Sequence, residues 1–84
     1  MNLNEFANDN WHLLSQAEKL IVEWQYGMLG DFRTALFDAI TRADESNLDR
    51  LALGFHDEVA GYRAWAHGTP YKMAEKLREM GLDI

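Results

Sequence analysis

Helix-start signals recur along this chain, each followed by apolar residues at helical spacing. Ser15 and Glu18 match the capping box, in which each side chain accepts a hydrogen bond from the other residue's backbone N–H. Ser46 is a second candidate N-cap. Thr69 followed by Pro70 is a third, because proline at the first helical position loses no hydrogen bond. No segment alternates apolar and polar residues as a half-buried strand does. The sequence therefore predicts an all-α fold, a compact bundle of four or five short helices.

Apolar spacing within these segments predicts which side chains form the central core. Asp31 is a candidate N-cap for a helix that runs to about Ala43, and the apolar stripe of this helix leaves Phe37 on a flank. The next segment repeats the spacing i, i+3, i+4, i+7 up to Gly54, which is expected to end its helix. The predicted core residues are Phe32, Leu36, Ile40, Leu48, Leu51 and Phe55.

The two ends of the chain give different signals. Residues 1–10 are predicted to be a loosely packed N-terminal arm, with Phe6 as one of its anchors. At the other end, Gly81 suits the left-handed position after a helix, and Leu82 can then pack back on Leu77 as in a Schellman motif. A length of 84 residues predicts one helical domain over 1–84.

Charge and cysteine content exclude several classes of protein. The formal net charge is −6 at pH 7, so general repulsion from phosphates predicts no direct binding to DNA or RNA. The absence of cysteine excludes a disulfide framework, a thiolate metal site and a cysteine nucleophile. The N-terminal residues show no secretory pattern, and no apolar run approaches the ~20 residues of a membrane span. We therefore expect a cytoplasmic protein without a membrane partner.

The candidate catalytic and metal-binding groups are weak. Residues 56–58 (His-Asp-Glu) and His67 include no pair of histidines four residues apart, which a helical zinc site would need. Carboxylate pairs such as Asp44 and Glu45 are explained by solvated helix faces, because a bundle of this size has little room for a cleft that would shift a pKa. The sequence predicts no enzyme, no cofactor and no metal.

Two groups of residues are candidate partner-binding surfaces. Trp24, Tyr26 and Trp65 are of the kind that favours interfaces when exposed, although aromatic residues at helical spacing also serve as core. The second group is acidic and could imitate nucleic-acid charge in docking on a basic groove, or could simply be a solvated face. The acidic group consists of Asp44, Glu45, Asp49, Asp57 and Glu58.

The segment from Trp24 to Ala66 carries short features at fixed spacing. These are Tyr26-Gly27, Phe32 with Leu36-Phe37, Ala43-Asp44, Asn47, Arg50-Leu51-Ala52, Gly54-Phe55 and Glu58-Val59 with Tyr62. In these features the chain resembles small, uncharacterised proteins encoded by phages, prophages and other mobile elements. It departs from them at His56, where the relatives tend to have proline. Small acidic phage accessory proteins include anti-CRISPR inhibitors, so the resemblance implies a genetic context of that kind.

Charge and resemblance together predict a phage- or mobile-element-encoded protein that inhibits a host nucleic-acid-binding defence complex by steric and electrostatic blocking. The expected partner is a host protein or ribonucleoprotein with a basic surface, in the cytoplasm of an infected or lysogenic bacterium. The alternative is a structural or assembly protein of a phage or prophage that self-associates, for example as a homodimer. Salt-dependent binding to a partner would favour the first hypothesis, and tight self-association without a host partner would favour the second.

Overall fold

A computed structural model describes residues 2–84, and these residues form helices and connecting turns with no strand. The prediction of an all-α fold is confirmed, but the helices number six rather than four or five. A 3₁₀ turn over Trp11–Leu13 joins the first two helices, and a π-helical turn over Arg63–His67 extends the fifth. The helices are α1 (Leu3–Asn10), α2 (Gln16–Gln25), α3 (Asp31–Arg42), α4 (Glu45–Gly54), α5 (His56–Tyr62) and α6 (Met73–Glu79).

The additional helix is α1, which occupies the segment that the sequence predicted to be a loosely packed arm. The Asn2 side chain accepts a hydrogen bond from the Glu5 backbone N–H at 2.9 Å and so caps the helix. Phe6 is fully buried and anchors α1 in the core. An Asn with a Glu three residues later is itself a helix-start pattern, so the signal was present in the sequence.

Helix α2 begins as predicted and packs closely on α5. Both hydrogen bonds of the capping box are present, from the Glu18 N–H to Ser15 Oγ at 3.1 Å and from the Ser15 N–H to Glu18 Oε1 at 2.8 Å. The two helices touch at Gly61, where an added Cβ would lie 2.9 Å from the Ala17 carbonyl oxygen. A glycine is therefore needed in α5 for this approach.

Helix α3 reverses two of the predicted environments. Phe37, predicted on a flank, is fully buried, whereas Phe32, predicted in the core, has 68% of its surface exposed. Phe32 lies in the first turn of α3, where the Phe55 ring approaches it at a tilt. Phe37 lies in the middle of the helix and stacks on Trp24 with the ring centroids 4.9 Å apart. Position along the helix, as well as position around it, thus decides burial.

Helices α4 and α5 form an antiparallel pair that turns at Phe55. The N-cap of α4 is Asp44, whose Oδ1 accepts from the Asn47 N–H at 2.8 Å, so Ser46, the predicted cap, lies inside the first turn. The helix ends at Gly54, as predicted. Leu48 is buried while Leu51 and Phe55 are partly buried, and the predicted core is confirmed in this segment.

Helix α6 starts later than the sequence predicted and ends as predicted. It begins at Met73 after Lys72, so Thr69 and Pro70 belong to the connection and are not N-cap and N1. The connection crosses towards α2 and carries Tyr71 to a contact there. At the C-terminus, the Leu82 N–H donates to the Leu77 carbonyl at 3.1 Å, which completes the Schellman motif.

Two hydrophobic clusters result from this packing, and α3 contributes to both. The small cluster consists of Leu36, Ile40, Leu48 and Val59, with α3, α4 and α5 around it. Tyr62 of α5 packs against both clusters. The large cluster consists of Phe6, Leu14, Leu20, Ile21, Val22, Phe37, Ala64, Met73, Leu77 and Leu82.

Over residues 2–84, no helix has the length and apolar character that a membrane crossing requires.

Candidate protein-binding surfaces

The first acidic group lies at the start of α4 and is organised by one arginine. The Nη2 atom of Arg63 donates to Glu45 Oε2 at 2.9 Å and to Asp49 Oδ1 at 2.8 Å. Hydrogen bonds to Asp49 and Glu45 raise the pKa of Arg63 above its usual value. The two carboxylate side chains remain 69% and 74% exposed. Asp44 is also exposed but uses one oxygen as the N-cap of α4.

The second acidic group lies in the first turn of α5. Asp57 and Glu58 follow the turn at Phe55, where carboxylates complement the positive end of the helix dipole. Asp57 Oδ1 lies 3.4 Å from Nδ1 of His56, whose side chain is largely exposed. The carboxylates at this position therefore help to start α5 as well as carry charge.

The structure does not bring the two acidic groups together. Because α4 and α5 are antiparallel, Arg63 returns to the start of α4 while Asp57 stays at its far end. At a rise of about 1.5 Å per residue, Asp44 lies about 15 Å from the end of α4 and Asp49 about half that distance. The five predicted acids are therefore spread along α4 and α5, with Asp44 and Glu45 at one end and Asp57 and Glu58 at the other.

The predicted aromatic group packs inside the protein for the most part. Trp24, Tyr26 and Trp65 are half-buried and lie against the large cluster. Trp24 stacks on Phe37, and the guanidinium of Arg78 lies over the Trp65 ring, 5.9 Å from its centre. The core interpretation, which the sequence left open, accounts for most of their surface.

Large exposed apolar side chains lie elsewhere, at positions that sequence reasoning missed. Phe32 stands in the first turn of α3 with its ring centroid 6.1 Å from that of Phe55, and the two planes are tilted by 50°. Leu53 of α4 is 90% exposed. Spacing along α4 could have identified Leu53, since it lies on the stripe of Glu45 and Asp49 and not on that of Leu48. No comparable signal marks Phe32, because its spacing matches the core stripe.

A buried carboxylate is the second feature that the sequence analysis missed. Glu18 was recognised only as a capping residue, but its side chain is buried and joins α2 to α6. Its Oε2 accepts from the Tyr71 hydroxyl and from Lys76 Nζ, both at 2.6 Å, while Oε1 accepts from the Ser15 N–H. The two partners come from the far end of the chain, so no local sequence pattern could have predicted these contacts.

The chemistry around Glu18 stabilises its charged form. Burial alone would raise the pKa of Glu18, but hydrogen bonds from Lys76, Tyr71 and Ser15 and the charge of Lys76 outweigh it, and the pKa lies below its ordinary value. Burial, followed by the hydrogen bond to Glu18, raises the pKa of Tyr71 above its ordinary value. Every buried side-chain oxygen or nitrogen in residues 2–84 has a partner. This arrangement is that of a satisfied structural ion pair.

A concave surface between α1 and α2 is one of several on residues 2–84. It is a groove of about 450 Å³ lined by residues that include Leu3, Ala7, Trp11, Val22 and Met28. Within the described part of the chain, no group of three or more His, Asp or Glu side chains could hold a metal ion. Comparisons with protein-family models, with curated proteins and with solved structures find no match for this chain.

Proposed function

We propose that this chain is a phage- or mobile-element-encoded binding protein that inhibits a host nucleic-acid-binding defence complex, as anti-CRISPR proteins do. It acts without catalysis, by covering a basic surface that would otherwise contact nucleic acid. The observation that carries the proposal is the acidic surface at the start of α4, where Glu45 and Asp49 are held by Arg63 and stay largely exposed. The resemblance of residues 24–66 to phage and prophage proteins supplies the genetic context.

Pre-organisation makes this surface suitable for docking. A carboxylate that is already held in one rotamer loses less conformational entropy when a partner binds. Two carboxylates against one guanidinium leave the group with a net negative charge, and Asp44 beside them adds another. Such a group attracts lysine and arginine side chains and increases the rate of encounter with a basic surface.

The experiment measures target-DNA binding by purified CRISPR effector complexes, with and without this protein, at low and at physiological salt. We expect at least one effector to lose DNA binding, with the inhibition weakening as salt increases. A variant with Asp44→Asn, Glu45→Gln and Asp49→Asn should inhibit less. The matched control makes the same change of charge on the C-terminal part of the chain, with Glu75→Gln, Glu79→Gln and Asp83→Asn.

Two results would contradict the proposal. If no effector in a panel covering several CRISPR types responds, the protein does not inhibit this class of complex. If inhibition falls by the same amount in the two triple variants, it depends on the net charge of the protein, and the start of α4 is not the docking surface. Self-association is the alternative function, and the exposed side chains of Phe32 and Leu53 favour it, since homodimer interfaces are rich in apolar residues. Sedimentation equilibrium of the isolated protein distinguishes the two.

A further inference from the structure

Phe32 is exposed, but another aromatic ring lies against it. Its ring lies against Phe55, with the centroids 6.1 Å apart. Phe55 is partly buried and packs on the small cluster, so the contact connects Phe32 to the core. Phe32 is therefore supported from below by a core residue and still has 68% of its surface exposed to solvent.

A side chain of this kind has the properties of an interface anchor. Aromatic residues dominate the binding energy of protein interfaces because they bury a large area with few rotatable bonds. Removing the exposed part of a phenylalanine from water is favourable, at about 25 cal/mol per Å² of apolar surface. Most of the Phe32 surface stays in water after folding, so a partner can bury it.

The charges on the segments that carry the two rings indicate the kind of partner. Asp31 and Arg33 flank Phe32 along the chain, and Asp57 and Glu58 follow Phe55 in the first turn of α5. These segments carry three carboxylates and one guanidinium, a net negative charge. A partner with lysine or arginine around an apolar pocket would complement both the ring and these charges.

The same charges disfavour a second copy of this chain as the occupant. In a twofold dimer the same patch meets itself, so the three carboxylates of one copy would approach those of the other. Juxtaposed like charges destabilise an interface. A basic protein partner avoids this repulsion.

We propose that the Phe32–Phe55 pair is the anchor by which this protein docks into an apolar pocket with a basic rim on its partner. This inference rests on the proposed function and adds a second contact surface, at the opposite end of α4 from Asp44. Phe32 enters the pocket, and Asp57 and Glu58 pair with the basic rim.

The test uses synthetic amphipathic peptides as probes, since an apolar face flanked by basic side chains reproduces the chemistry of the partner's pocket and rim without its shape. The first peptide places lysine and leucine at helical spacing, the second replaces leucine by serine, and the third replaces lysine by glutamate. Binding is followed by fluorescence anisotropy, and the site is located by amide chemical-shift changes. We expect the lysine–leucine peptide to bind most tightly and to shift the amides around Phe32, Phe55 and Asp57.

Two single substitutions and one double substitution identify the residues responsible. Phe32→Ala should weaken binding of the lysine–leucine peptide by about tenfold, as expected for an anchor. Leu53→Ala, which removes an apolar side chain that is even more exposed, is the matched control and should leave binding unchanged. Asp57→Asn with Glu58→Gln should reduce the salt dependence of binding. Thermal melts establish that each variant is folded.

The outcomes separate this inference from the proposed function. Binding of the lysine–serine peptide at Asp44, Glu45 and Asp49, with no effect of Phe32→Ala, would overturn the anchor and leave the acidic docking surface intact. Loss of binding in both Phe32→Ala and Leu53→Ala would also overturn it, since any exposed apolar residue would then suffice. A dimer that Phe32→Ala dissociates would assign the patch to a second copy. Inhibition of an effector that is lost in Phe32→Ala and retained in Leu53→Ala would support both proposals.

Discussion

The two hydrophobic clusters are held together by different kinds of contact. The large cluster joins α1, α2 and α6, and the buried carboxylate of Glu18 beside it is paired with Tyr71 and Lys76. The small cluster has four buried residues, and the charged contacts beside it, from Arg63 to Glu45 and Asp49, are exposed. Removing the buried carboxylate should therefore cost more stability than removing a solvated pair beside the small cluster.

The largest expected effect compares two neighbouring residues of α3 that face different clusters. Phe37→Ala empties a site in the large cluster and should lower the free energy of unfolding by about 3–5 kcal/mol. Leu36→Ala in the small cluster should cost less, about 2–3 kcal/mol, because Leu36 is slightly exposed and its surroundings can relax. Urea denaturation measures both. If Leu36→Ala lowered the free energy of unfolding more than Phe37→Ala, the small cluster would be the more important of the two for stability.

An intermediate effect is expected for Glu18→Gln. A glutamine has one acceptor oxygen instead of two, so it cannot accept from Ser15, Tyr71 and Lys76 together. At least one donor is left without its acceptor, and stability should fall by about 1–3 kcal/mol. Glu75→Gln, on the exposed face of α6, is the control and should change stability little.

The effect of Glu18→Gln should also depend on pH. The pKa of Glu18 is lower in the folded state, so its contribution is fully present above the unfolded value of about 4.5 and is lost as the pH falls through the folded value. The difference in unfolding free energy between wild type and variant should thus shrink as the pH is lowered from neutral to below 4.5. A difference that stays constant would mean that the charge of Glu18 contributes nothing.

The smallest expected effect concerns the exposed contacts beside the small cluster. Arg63→Gln removes both ion pairs at the start of α4 and should lower stability by less than about 1 kcal/mol, because its partners are solvated. The effect should decline further as salt increases. Arg50→Gln, an exposed arginine of α4, serves as the control. If Arg63→Gln lowered stability as much as Glu18→Gln, the exposed ion pairs beside the small cluster would contribute as much as the buried one beside the large cluster.

Local sequence patterns were sufficient to predict a helix boundary where that boundary depends on neighbouring residues. The capping box of Ser15 and Glu18, the end of α4 at Gly54 and the Schellman motif at Gly81 were all predicted, since each is formed within about five residues. Other local patterns were misread, including Thr69 and Pro70, since α6 begins only at Met73. Asp44 precedes Ser46 and caps α4 first, and Asn2 with Glu5 starts α1.

The candidate binding surfaces could be predicted only in part. Sequence alone placed Asp44, Glu45 and Asp49 near one turn, and the structure keeps them together. It could not separate them from Asp57, because the distance depends on how α5 folds back along α4. Whether either surface binds a partner stays a prediction.

Helical periodicity and capping, which act over a few residues, determined the fold class and most helix boundaries of this protein. Only the tertiary structure decided that Phe37 is buried and Phe32 exposed, because burial depends on which helix lies opposite each turn. The same holds for Glu18, whose partners lie more than fifty residues further along the chain. Side chains on one helix share a spacing, but the neighbours that cover them are supplied by distant segments.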